Sequence, residues 1–134
     1  TTRELIMNHS YPIQSYLNDE VNNKVEDDNP HSIVLNILIE LKNNISTLAY
    51  CLEHDGTVSE VKSKSFSKSL TAIYILQSSL DMKLGGEIAE NLYNLYEYCR
   101  TTIIKAFRNK DFLSVQSLVP ILSEILDGWK GIKN

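Results

Sequence analysis

Proline and glycine are scarce in this 134-residue chain, three and five respectively, so little in it forces the backbone to turn. Cysteine is scarcer still. Cys51 and Cys99 stand apart, without the paired spacing of a zinc site or the density of a disulfide scaffold, and a reducing cytoplasm is the expected compartment. No apolar run is long enough to cross a bilayer, since the strongest, Ile33 to Leu41, is broken by Asn36 and Glu40. The opening Thr-Thr-Arg-Glu-Leu-Ile-Met lacks the basic flank and long apolar stretch of a secretory signal. Basic charge is also short: thirteen Lys and Arg are scattered through a chain of net charge -4, which leaves no basic stripe and makes nucleic acid an unexpected partner.

Catalytic groupings are missing as well. His9, His31 and His54 have no second histidine or cysteine at ligand spacing, and Glu87, Glu90 and Glu97 lack the Glu-x-x-His pairing of a di-iron bundle. Neither cysteine sits in a strained elbow beside a base, and Gly85-Gly86 is not followed by the Lys-Ser or Lys-Thr of a phosphate loop. No catalytic residue, metal or cofactor is expected, so the chain does not read as an enzyme.

What is present is helical periodicity. With 43% hydrophobic and 22% charged residues the chain has the balance of a folded domain, and its apolar residues recur every three or four positions. Residues 1–28 read as an arm or short capping helix, with apolar marks that include Ile13, Tyr16 and Leu17. A core of four helices spans 29–131, within one domain covering 1–134. Asn29-Pro30 pairs a cap with a first-turn proline, and Val34, Leu38, Leu41, Ile45, Leu48 and Leu52 form the seam of a helix that ends at His54-Asp55-Gly56. A second helix runs from about Ser59 to Leu80, with serines and lysines on its outer face, and Gly85-Gly86 is the next corner. The third, opened by Glu87, has Ile88, Leu92, Leu95, Cys99, Ile103 and Ala106 as its seam and ends near Asn109-Lys110. Asp111 caps a fourth that carries Val115, Val119, Leu122, Leu126 and Trp129, and Pro120 should kink it or mark a late start. The expected fold is all-α, an antiparallel up-down four-helix bundle.

Apolar side chains exceed what one packed face needs. Leu118, Ile121, Ile125 and Ile132 add a second stripe to the fourth helix, Ile33, Leu35, Ile37 and Ile39 to the first, and Tyr93, Tyr96, Ile104 and Phe107 to the third. A bulky core, the covering arm or a homodimer face would absorb some of this. Collectively the excess favours a groove for a partner helix. Tyrosine, present seven times, suits such a surface because its broad ring ends in a polar tip.

The stretch SSLDMKLGGEIAENLYNLYEYCRTTIIKAFRNKD, from Ser78 to Asp111, closely resembles the flagellin export chaperone family, FliS. Gly85, Gly86, Glu87, Ile88, Ala89, Asn91, Leu92, Leu95, Tyr96 and Tyr98 fit its recurrent motif. Ile13-Gln14-Ser15-Tyr16, Asn29-Pro30-His31 and Asp127-Gly128-Trp129-Lys130 resemble its other landmarks, in a pattern nearest the enteric-type members. The chain differs in having Thr101-Thr102 where an arginine pair is common. The resemblance implies a bacterial cytosolic chaperone that binds the disordered C-terminal segment of flagellin, prevents premature polymerisation and assists delivery to the export gate protein FlhA; some relatives also bind the anti-sigma factor FlgM. On this reading Ile33, Ile37, Tyr93, Tyr96, Leu118, Ile121, Ile125 and Trp129 contact the client. Ile13, Gln14, Tyr16 and Leu17 cap the groove and dock at the gate. The alternative is a non-catalytic adaptor or homodimerising bundle that uses the same apolar arcs.

Overall fold

A computed structural model describes residues 29–54 and 59–132. They form helices α1 (Pro30–Glu53), α2 (Ser59–Ser78), α3 (Met82–Asn109), α4 (Phe112–Gln116) and α5 (Leu118–Lys130), in which α4 and α5 together make the fourth rod. Helix α1 starts where a cap was expected: the Asn29 side-chain oxygen accepts a hydrogen bond from the His31 amide at 2.7 Å, and Pro30 occupies the first turn. All six residues of its expected seam are buried, and Ile33, Ile37 and Ala49 join them, so α1 is packed over more than one face.

Helix α2 packs most extensively on α1. Its buried face includes Ser65 and Ser69, a correction to the expectation that its serines all face outward. Their small side chains let the two backbones approach, and each hydroxyl is satisfied within the helix, Ser69 by donating to the Ser65 carbonyl at 2.8 Å. The first turns are less anchored, and Val61 is exposed.

The corner between α2 and α3 falls at residues 79–81, a few positions before the glycine pair. Asp81 caps α3 by accepting from the Leu84 amide, and Gly86 then breaks the helix internally with φ 54° and ψ -130°. That left-handed φ suits a residue without Cβ. Helix α3 ends on Lys110, also left-handed at φ 56°. Asp111 caps α4, its carboxylate accepting from the Ser114 amide and hydroxyl; these bonds hold its pKa below the usual carboxylate range.

Pro120 explains the split of the fourth rod. It has no N–H for the Gln116 carbonyl four residues back, so the helix lapses at Ser117 and resumes at Leu118, which leaves the proline in the first turn of α5, where the loss costs least.

Candidate functional site

Helix α3 is turned toward α2 along one flank. The Phe66 and Phe107 rings stack with centroids 3.9 Å apart, and the Gln77 amide donates to the Tyr93 carbonyl and to the Glu97 carboxylate. Glu97 also accepts two bonds from Arg100. The Arg100 hydrogen bonds, joined by the Gln77 bond and the guanidinium charge, pull its pKa down to about 2.

The opposite flank of α3 is open. The buried line along this helix is Ala89, Tyr96, Cys99, Ile103 and Ala106, with half-buried Leu92 among them, a spacing of three and four in turn. Ile88 and Leu95, expected in the seam, are 52% and 37% exposed instead. The reason is rotation: Ala89 and Tyr96, one position later in each case, take the inward places and carry Ile88 and Leu95 to the side away from α2.

Helix α5 presents a matching flank. Val119 and Pro120 line a shallow hollow with Ser46, Ala49, Tyr50 and Glu53 of α1, which fixes that side of α5 toward α1. Ile121, Ile125 and Ile132 lie on the other side of the buried line Leu118, Leu122, Leu126 and Trp129, partly buried against the core and turned toward α3. Helix α3 contacts α4, but α3 and α5 lack the close backbone approach that joins the other neighbouring rods. The candidate site is the strip between α3 and α5, called the trough below, with Ile88 and Leu95 placed by helical spacing on its α3 side and Ile121 and Ile125 on its α5 side.

Of the residues expected to meet a client, the trough brings together Ile121 and Ile125. Tyr93, 39% exposed, sits on the α2 flank and is separated from them. Ile33, Ile37 and Leu118 belong to the core, with at most 2% exposure, and the spare apolar surface expected on α1 reduces largely to Ile39. Tyr96 and Trp129 lie beneath the trough. Burial raises the Tyr96 phenol far above its ordinary pKa and pushes the Cys99 thiol up to about 11, so both stay neutral. Trp129 is spent on closing the bundle. Its indole N–H donates to the His31 carbonyl at 2.9 Å, its own carbonyl lies 2.8 Å from His31 Nε2, and the two rings stack. Ile13, Gln14, Tyr16 and Leu17 lie outside the described residues. Among the described residues no group of histidine, cysteine, aspartate and glutamate could hold a metal, and no helix is long and apolar enough to cross a membrane.

Known proteins resemble the chain along most of its length. The family model for the flagellar protein FliS matches residues 12–134. The chain belongs to the FliS family. Among curated relatives, the flagellar secretion chaperone FliS of Salmonella typhimurium is 30% identical over 121 residues, which cover 90% of this chain and 88% of the relative. FliSB of Pseudomonas aeruginosa is 26% identical over 91% of this chain and 95% of its own length, and FliS of Vibrio cholerae 28% identical over 90% and 87%. FliS proteins are non-catalytic chaperones, and the chain takes that role rather than an enzymatic one.

Proposed function

We propose that the chain is a bacterial cytosolic chaperone for flagellin, holding its disordered C-terminal segment as an amphipathic helix in the trough between α3 and α5. The observation that supports this reading is the apolar surface left beside the buried lines of two rods without extensive mutual backbone contact, Ile88 with Leu95 on α3 and Ile121 with Ile125 on α5. A monomer that leaves such a strip uncovered gains by burying it under another apolar face. The relatives' names, flagellar secretion chaperone, support the client class.

In this reading Ile121 and Ile125 touch the client directly, with Tyr93 reached only by a segment that wraps across α3. Ile33, Ile37, Tyr96, Leu118 and Trp129 act from below by fixing the floor. Covering the segment prevents premature polymerisation, because the face it would use in the filament is occupied. Ordering a disordered segment costs several kcal/mol, about 2 to 5, so an extended contact is needed for useful affinity. For Ile13, Gln14, Tyr16 and Leu17 the proposal, carried over from the family resemblance, is competition with client for the groove and docking at the gate protein FlhA, with FlgM as a further proposed partner.

Mixing the protein with a C-terminal flagellin peptide and following the complex by size exclusion and peptide helicity tests the proposal. A one-to-one complex with gain of helix is the expected result. Concentration-dependent self-association without peptide binding would favour a homodimer instead.

A further inference from the structure

Ser79, at the end of α2, is 3% exposed, and its hydroxyl is the one buried side-chain polar atom without a hydrogen-bond partner among the described residues. It lines a small cavity with Val34, Leu76, Leu92, Tyr96 and Trp129, in which about 20 Å³ is open to the centre of a water molecule. Roughly 10 to 15 Å³ is enough to hold one, so the space fits a single small group. The lining is drawn from α1, from the end of α2, from α3 and from α5, near the α2–α3 corner, and it includes Leu92 and Trp129 of the two helices on either side of the trough.

The chemistry of the lining restricts the occupant. No ionisable group that is charged at neutral pH contributes to it, so a charged group would be desolvated without compensation. The Trp129 N–H is already given to the His31 carbonyl, and the Tyr96 phenol remains protonated. Ser79 therefore asks for a neutral partner that donates or accepts one hydrogen bond. Apart from the Tyr96 phenol and the committed Trp129 N–H, the lining is aliphatic, Val34, Leu76, Leu80 and Leu92, so that partner would be held near one defined point.

We propose that this cavity is a polar subsite of the trough, taking one neutral hydroxyl or amide side chain of the bound segment onto the Ser79 hydroxyl and so fixing the register in which that segment lies. The inference rests on the reading of the trough as a client site. An apolar strip alone tolerates sliding of a helix by a turn. One polar contact that must be satisfied selects a single position, because in every other register the Ser79 hydroxyl and its would-be partner are both left to water or to nothing.

The test pairs Ser79→Ala with a flagellin C-terminal peptide in which each Ser, Thr, Asn and Gln is changed to Ala in turn. Ser79→Ala should weaken binding of the unmodified peptide roughly 2- to 10-fold, the worth of one neutral hydrogen bond. One peptide position should show a similar loss with the wild-type protein and none with Ser79→Ala, the signature of a coupled pair. The melting temperature of free Ser79→Ala should be unchanged or higher, since no internal bond is lost. Unaltered affinity for Ser79→Ala, a loss coupled to no peptide position, or a fall in melting temperature without loss of affinity would overturn the subsite while leaving the trough in place. Failure of the wild-type protein to bind any peptide would instead remove the client reading and the subsite with it.

Discussion

Helices α1 and α3 are alike in length and apolar content, yet they end in different situations. Every residue of the expected α1 seam is inside, and the neighbouring Ile33 and Ile37 are inside too. On α3 the buried line passes through Ala89 and Tyr96, and two large aliphatic side chains beside it, Ile88 and Leu95, remain outside. The difference lies in the neighbours. Among the described residues α1 packs extensively on α2 on one side and on α4 and α5 on the other, whereas the extensive contacts of α3 are with α2 and the short α4. Apolar surface on the first helix is therefore structural, and on the third it is available.

Substitutions can break that contrast, and the largest effect belongs to the sealed side. Leu118→Ala removes a side chain with no exposed surface and should cost about 2 to 5 kcal/mol of stability, read from urea unfolding. Ile88→Ala, on the open flank, should cost well under that and leave the unfolding midpoint nearly in place. Equal costs would mean that the trough is not open.

Backbone positions give smaller effects. Gly86 has empty space where a Cβ would lie, so Gly86→Ala tests the positive φ alone, and a loss of about 1 to 2 kcal/mol in thermal unfolding is expected. Lys110→Gly should act in the other direction and stabilise by about 0.5 to 1 kcal/mol, because Lys110 holds a left-handed conformation that glycine adopts without strain.

The smallest effect is electrostatic and sharpens the α2–α3 contact. The Glu97 carboxyl is depressed from 4.5 to about 2, so its contribution to stability is present above pH 4.5 and disappears as pH falls toward 2. Glu97 is only half-buried, so solvent screens the effect. The melting-temperature advantage of the wild-type protein over Glu97→Gln should be slight at pH 6 and vanish by about pH 2. An advantage that grew on acidification would contradict the assignment.

Much of this architecture was legible in the residues. Asn29-Pro30 marked the start of α1 because a capping oxygen and a fixed φ act within three residues, and Asp111 was legible for the same local reason. The halves of the fourth rod followed from the missing N–H of Pro120. The rotation of α3 was harder to see, since seams through Ile88 and Leu95 or through Ala89 and Tyr96 both satisfy helical spacing. Side-chain size favoured the first, whereas the structure gives the inward place to the small, fully buried Ala89. The same limit applied to the site: Ile33, Ile37 and Leu118 are apolar enough for a binding face, and only the packing of four rods shows them enclosed. Ser79 carried no signal at all, because an unpaired hydroxyl exists only once its neighbours are in place.

Whether a client lies between α3 and α5 is tested most directly by the affinity of a flagellin C-terminal peptide for Ile121→Asp/Ile125→Asp. Two charges placed on the rim should weaken binding by roughly 30-fold or more, as loss of a central apolar contact does, while circular dichroism of the free protein keeps its helical signal. Wild-type affinity in a folded variant would show that the client binds elsewhere, and collapse of the helical signal would show that the two isoleucines belong to the core.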